Sequence, residues 1–145
     1  MINAITSGIS KALYKEFGSD YEIYKEDMPQ NFKEPCFSIV CLRFTNEKRS
    51  PSRYFRRHQL DIHFFPEQGQ NEKQQIYDVI ERLYSCLEHI YVLDNLCRAS
   101  KMSPEIVEGV LHFFVDYDFF VMTQSDEDNS MTTMDSRLTG RYNNG

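Results

Sequence analysis

The sequence predicts an α+β fold, in which an antiparallel or mixed β-sheet has two main helices packed on one face. Apolar residues recur at three- and four-residue spacing in two separate stretches, about 2–17 and 71–89. Between and after these stretches, β-branched and aromatic residues dominate in runs of strand length. A chain of 145 residues that is 41% hydrophobic is sufficient for one domain with its own core.

The first helix is predicted over about 2–17. Lys11, Lys15 and Glu16 fall outside its apolar stripe, so they should face water, and Gly18 provides the expected end. The stripe consists of Ile2, Ile5, Ile9, Ala12, Leu13 and Phe17.

A long β-hairpin arm is predicted between Pro35 and Pro66, after a short strand at 21–25. Two apolar runs, Cys36–Phe44 and Gln59–Phe65, flank a basic segment. We expect the base of this hairpin to lie in the core and its tip to reach into solvent. The first run is apolar on both faces, which is typical of a strand buried on two sides or contacting a partner. Strict alternation places Phe37, Ile39 and Cys41 on one face and Val40, Leu42 and Phe44 on the other.

The second helix, about 71–89, begins at an Asn71–Gln74 pair that resembles a capping pair. Residues 91–93 are ambiguous, 96–102 is a candidate strand, and Gly109 marks a bend or bulge. The stripe of the second helix consists of Ile76, Val79, Ile80, Leu83, Leu87 and Ile90.

Val110–Met122 is the clearest strand, because apolar residues occupy one whole face of it. Residues 1–122 are therefore predicted to form a single domain. The polar segment 123–145 has few residues that could form a core, and is predicted to be an extended tail that is flexible or orders on assembly. The other face of the last strand mixes acids with aromatics: His112, Phe114, Asp116, Asp118, Phe120 and Met122.

The charge of the hairpin arm differs from that of the whole chain. The net charge is −6, which excludes bulk electrostatic binding to nucleic acid or membrane. The arm, however, has six basic residues against one acid, Glu47. Three interpretations remain: a protein interface, a solvated hairpin, and a nucleic-acid surface with aromatic side chains among the arginines. We rank the protein interface first, and its predicted residues are Arg43, Lys48, Arg49, Arg53, Tyr54, Phe55, Arg56 and Arg57.

Two groups of polar residues are candidates for a metal-binding or catalytic site. His58, Asp61 and His63 match no strong metal-binding spacing, so solvated or partner-facing side chains are the preferred interpretation. His112, Asp116 and Asp118 share a strand face, but no further motif accompanies these carboxylates. No phosphate-binding glycine loop and no nucleophile motif occurs. The sequence thus predicts no catalytic residue, no cofactor and no metal.

The four cysteines form no CxxC pair, and the preferred interpretation is free thiols in a reducing cytosol. The first fifteen residues lack a continuous apolar segment, so no signal peptide is expected.

Four segments together resemble the phage tail terminator family of long-tailed phages, prophages and contractile phage-tail-like bacteriocins. They are KEPCFSI, RYFRRHQLDIHFFP, the helix that begins at NEK, and EIVEGVLHFFVDYDFFV. The resemblance covers about residues 1–122, and its motifs are patterns of fold and carry no catalytic signature.

The resemblance implies a non-enzymatic structural protein without a cofactor. Such a subunit forms a homo-oligomeric ring, usually of six copies, that caps the tail tube and ends its polymerisation. Its implied partners are the tube protein, the sheath protein in contractile tails, and neck proteins. It would assemble in the bacterial cytoplasm and remain at the head-proximal end of the tail. A neck or head–tail completion protein is the nearest alternative, and a nucleic-acid-binding module is a more distant one.

Overall fold

The computed structural model describes residues 1–123 and 132–134, and it confirms the α+β class. The described part of the chain contains two helices and eight strands. Their bounds are α1 Ile2–Phe17, β1 Glu22–Lys25, β2 Cys36–Ser50, β3 Arg53–Phe65, α2 Glu72–Cys86, β4 His89–Val92, β5 Asn95–Arg98, β6 Lys101–Val107, β7 Val110–Thr123 and β8 Thr132–Met134.

The main sheet has the strand order β1-β2-β3-β7-β6, and β8 also pairs with β7. β1 runs parallel to β2, and the other neighbours are antiparallel. β4 and β5 form a separate two-stranded sheet. The two long strands β3 and β7 therefore lie at the centre of the main sheet.

The core lies between one face of this sheet, called here the helix face, and the two helices. The stripe of α1 is buried through Ile5, Ile9, Leu13 and Phe17, as its spacing predicts. The Phe17 ring contacts Phe37 of β2 with centroids 4.8 Å apart. The fully buried face of β7 supplies Leu111, Phe113, Val115, Tyr117, Phe119 and Val121.

A close backbone approach joins α1 to the small sheet. Gly8 is buried in α1, and a Cβ atom there would overlap the carbonyl oxygen of Tyr91 in β4. Glycine is therefore required at this position, because any side chain would push the hairpin away from the helix.

The hairpin of β2 and β3 is confirmed, but it does not project alone. β3 pairs with β7 along almost its whole length, from Phe64 opposite Leu111 to Arg53 opposite Met122. The tip is thus part of the main sheet, because β7 flanks the hairpin there. β2 also continues as far as Ser50, beyond the apolar run.

A β-bulge at Leu42 changes which side chains share a face. Cys41 pairs with Leu60, and the next pair joins Arg43 to Gln59, so Leu42 is the extra residue. Phe44 consequently pairs with His58 on the helix face. The alternation that assigned Phe44 to the opposite face from Cys41 was wrong, because alternation assumes an unbroken ladder.

The second helix is shorter than its apolar stripe indicates. α2 ends at Cys86, and Ile90 of the predicted stripe belongs to β4. Asn71 occupies the N-cap position without a side-chain cap hydrogen bond. The Glu72 carboxylate instead accepts from the backbone N–H of Gly69, and Gln75 bonds to the backbone of Glu67.

The segment between α2 and β7 contains more separate strands than the sequence predicts. Residues 96–102 contain the end of β5 and the start of β6, and β6 turns into β7 at Glu108–Gly109, where both residues have positive φ. Of the predicted tail, 123–145, the structure describes Thr123 at the end of β7 and Thr132–Met134 as β8; residues 124–131 and 135–145 lie outside the described residues. No helix among the described residues is long and apolar enough to cross a membrane.

Candidate interaction surface

The sheet face that points away from the helices, called here the outer face, has an aromatic pair beneath three arginines. Phe55 of β3 pairs with Phe120 of β7, and their rings lie 5.0 Å apart. The Arg49 and Arg57 guanidinium carbons lie 4.9 and 5.2 Å from the Phe55 ring centroid, and that of Arg53 lies 4.4 Å from Phe120. Phe55 is completely buried although it lies on the outer face. Cation–π contact and coverage by the arginine stems contribute to this burial.

Beside the aromatic pair, acids and bases meet across β3 and β7. Arg57 pairs with Asp118, and Gln59 pairs with Asp116 and, on its other side, with Arg43. These side chains line a cavity of about 180 Å³. The basic arm and the acidic face of β7 are therefore adjacent within the chain and partly neutralise each other.

Burial raises the pKa of Asp116 above its usual range, and the negative charge of Asp118 raises it further. Burial also raises the pKa of Asp118, although the Ser100 hydroxyl, the Arg57 charge and a backbone N–H of His58 oppose the effect. The Ser100 hydroxyl donates to the Asp118 carboxylate at 2.9 Å. Both carboxyl groups are thus incompletely compensated in the isolated chain.

The eight predicted interface residues are divided between the two faces. Lys48, Tyr54 and Arg56 lie on the helix face, as their cross-strand partners show. Arg56 donates to the Asn46 side chain at 3.1 Å. The outer face holds Arg43, Arg49, Arg53, Phe55 and Arg57.

The outer edge of β2 is open beyond the short strand β1. β1 pairs with Cys36–Ile39 alone, so Leu42–Ser50 has no strand neighbour on that side within the described residues. Leu42 and Phe44 on this edge are 49% and 43% exposed. Arg43 and Lys48 are exposed beside them and form no ion pair within the described part of the chain. This open edge, whose position sequence reasoning did not identify, combines apolar side chains with exposed positive charge.

His58 and Asp61 are not solvated, contrary to the sequence interpretation. His58 is 1% exposed and lies on the helix face, where its Nδ1 bonds to the carbonyl oxygen of Tyr117 at 3.0 Å. Burial lowers the pKa of His58 to about 4, and the nearby Arg56 charge adds to this effect. His58 is therefore a neutral core residue at physiological pH.

Asp61 joins two histidines that the sequence analysis placed in different groups. Asp61 is 4% exposed, and its Oδ2 accepts from His63 Nε2 at 2.8 Å and from His112 Nδ1 at 2.9 Å. His63 lies directly opposite His112 in the pairing of β3 with β7. The alternation pattern placed each residue on a polar face, but the register that brings them together could not be read from sequence.

None of the four cysteines, all of which lie in the described part of the chain, forms a disulfide bond: Cys36 and Cys97 are buried, and Cys41 and Cys86 are half-buried. Burial raises the pKa of Cys36 and of Cys86 to about 12. The thiolate is the reactive form, so these thiols are poor nucleophiles.

Comparison with protein-family models agrees with the sequence resemblance. No curated protein matches the chain. One solved structure has a TM-score of 0.44 at 10% sequence identity, covering 88% of this chain and 99% of its own. A family described as "Phage tail terminator protein" matches residues 4–129, which is most of the chain. On this match the chain belongs to a phage tail terminator family, and its role is structural, in phage tail assembly.

Proposed function

We propose that six copies of this chain form a closed ring that caps the tail tube and ends its polymerisation. The ring then contacts the last sheath ring of a contractile tail, or the neck. Assembly takes place in the bacterial cytoplasm, and the ring stays at the head-proximal end of the tail. Family membership supports the role in tails, and the number of copies follows the resemblance of the sequence to ring-forming terminators.

The open edge of β2 is the observation that supports ring formation most directly. An uncovered strand edge presents backbone N–H and C=O groups to a second chain. Leu42 and Phe44 offer apolar contact area beside it, and Arg43 and Lys48 offer charge to an acidic neighbour. Because the chain is acidic overall, a sister subunit provides such a surface.

A ring requires the edge to meet a different surface of the next subunit. A head-to-tail contact of this kind closes on itself when the rotation between copies divides a full turn evenly. The edge is basic, whereas the acids of β7 lie on the outer face at Asp116 and Asp118. These surfaces differ in charge, as a head-to-tail contact between dissimilar surfaces allows.

The positions of the arginines give little support to nucleic-acid binding as an alternative function. Arg53 and Arg57 lie over aromatic rings of their own subunit, and Arg57 neighbours Asp118. Phosphate contact would have to displace these interactions. A protein partner can use Arg43, Lys48, Leu42 and Phe44 without disturbing them.

Deletion of the gene from its phage or prophage tests the proposed function. We expect overlong tails of variable length by electron microscopy, and tails of normal length when the wild-type chain is supplied. Tails of normal length that lack heads would instead indicate a neck protein, and would contradict termination.

The role of the open edge is tested separately with Arg43→Glu combined with Lys48→Glu. Both side chains are exposed, so the subunit should fold normally by circular dichroism, while native mass spectrometry should show loss of the ring. Lys11→Glu combined with Lys15→Glu on the exposed side of α1 is the matched control, since it makes the same change in net charge. Equal ring formation by the two variants would show that the edge does not carry the interface.

A further inference from the structure

Three ligand-type side chains converge on the outer face at the base of the sheet: Asp61 and His63 of β3 and His112 of β7. One potential ligand atom from each lies within 4.8 Å of the other two. Two neutral imidazoles and one carboxylate form a donor set that proteins use for zinc and related divalent metals. The site is distinct from the open edge and from the three arginines that lie over Phe55 and Phe120.

The secondary structure fixes the positions of all three side chains. Asp61 and His63 are two residues apart on one strand, so they project from the same face. His112 is directly opposite His63 in an antiparallel pair, where Cβ atoms lie about 5 Å apart. These are the two central strands of the sheet, so little backbone freedom remains to be lost when an ion binds.

The hydrogen bonds within the cluster do not satisfy the carboxylate. Both histidines bond to the same oxygen, Oδ2, while Oδ1 is buried and has no hydrogen-bond partner among the described residues. The Asp61 side chain is 6% exposed. A buried carboxylate oxygen without a partner is costly, and a cation bound at the cluster would compensate for its charge.

The distances fit a metal after small adjustments of the side chains. The two nitrogens lie 2.8 and 2.9 Å from Oδ2. Tetrahedral zinc with bonds of about 2.0–2.1 Å separates its donor atoms by about 3.3 Å, so each separation would widen by roughly half an ångström. Each ring would also adopt the tautomer that directs its lone pair toward the ion.

We propose that Asp61, His63 and His112 bind one divalent transition-metal ion of the zinc class, with water in the remaining coordination position. The His63 and His112 side chains are 23% and 25% exposed, which gives the ion a route from solvent. Phe65 and Phe114 lie beside the two rings, at centroid distances of 6.2 and 6.3 Å. They provide an apolar surround, which strengthens binding of a charged ion to its ligands. The ion would tie β3 to β7 at the end of the sheet opposite the hairpin tip.

Isothermal titration calorimetry of the untagged, metal-free chain with zinc chloride tests this proposal. We expect one ion per chain and a rise in the unfolding temperature with zinc, because the ion binds the folded state. His63→Gln and His112→Gln should each weaken zinc binding by at least about 100-fold, since loss of an outer partner alone costs up to about that much. Cobalt should bind at the same stoichiometry and give the visible absorption of a low-coordinate site.

His89→Gln is the matched control, because His89 is an exposed histidine on β4 outside the cluster. It should bind zinc like the wild type. Absence of stoichiometric binding to the wild-type chain would overturn the proposal, as would unchanged affinity in folded His63→Gln and His112→Gln. Equal loss in His89→Gln would show adsorption to surface histidines, and would overturn it as well.

Discussion

At the scale of single residues, His58 shows how burial sets the charge state of a side chain. Its Nδ1 must carry the proton, because it bonds to a carbonyl oxygen, which can only accept. Its Nε2 is buried and has no hydrogen-bond partner in the part of the chain that the structure describes. Protonation would place an N–H donor there with nothing to accept it, and burial already lowers the pKa to about 4.

We predict that the stability of the chain falls in mild acid. Because the folded pKa of His58 is lower than the unfolded value of 6.5, its contribution is present above pH 6.5 and is lost as pH falls toward 4. The loss from this group between about pH 7 and pH 5 is about 2 kcal/mol. Urea unfolding at the two pH values measures it.

His58→Phe should remove most of this pH dependence, because phenylalanine keeps a ring against Phe119 but cannot bind a proton. His89→Gln, at an exposed position, should retain it. A wild-type curve that stays flat from pH 7 to pH 5 would contradict the assignment of His58 as a neutral buried base.

At the scale of elements, β2 and β3 use two phenylalanines in opposite ways. Phe55 is fully buried beneath arginines, whereas Phe44 on the open edge is 43% exposed. We predict that Phe55→Ala lowers the free energy of unfolding by about 3 kcal/mol, since it removes a buried ring. Phe44→Ala should cost less than about 1 kcal/mol but weaken ring assembly. Chemical denaturation and native mass spectrometry separate the two effects, and equal loss of stability would refute the distinction.

The contact between α1 and β4 leads to a further prediction at this scale. Gly8→Ala should reduce stability by about 1–3 kcal/mol, because the new methyl group must displace the Tyr91 carbonyl. The direction of the change in stability is informative, because helix propensity alone would make the alanine variant more stable by about 1 kcal/mol. Asn3→Ala, on the exposed side of the same helix, is the control and should be neutral or stabilising. A stabilised Gly8→Ala variant would show that the hairpin moves away without cost.

At the scale of the whole molecule, charge is distributed unevenly on an acidic chain. The net charge is −6, yet the open edge is basic at Arg43 and Lys48. We predict that raising salt from about 0.05 M to about 0.5 M slows ring assembly by about tenfold, because screening removes electrostatic steering. Stopped-flow light scattering measures the rate. Arg43→Gln combined with Lys48→Gln should assemble slowly at either salt concentration, and a wild-type rate independent of salt would contradict the prediction.

Periodicity was sufficient to predict the layers of the fold from sequence, because each buried face repeats at 3.6 or 2 residues. The stripe of α1 and the apolar face of β7 are where the spacing places them. What could not be predicted depends on register between distant strands. The meeting of Asp61 with His112 and the pairing of β7 with the hairpin tip follow from such register. The position of the open edge was also beyond prediction, since it depends on which part of β2 is paired with β1.

The bulge at Leu42 has a consequence for how this protein can evolve. Because Leu42 is the residue that the ladder of β2 omits, loss of its codon would leave Arg43 opposite Gln59. Loss of any single residue from Arg43 to Lys48 would instead move the side chains of part of the strand to the opposite face of the sheet. Relatives should therefore vary in length at position 42 more readily than at positions 43–48. Loss of one residue is tolerated at position 42 because the ladder already contains a surplus residue there.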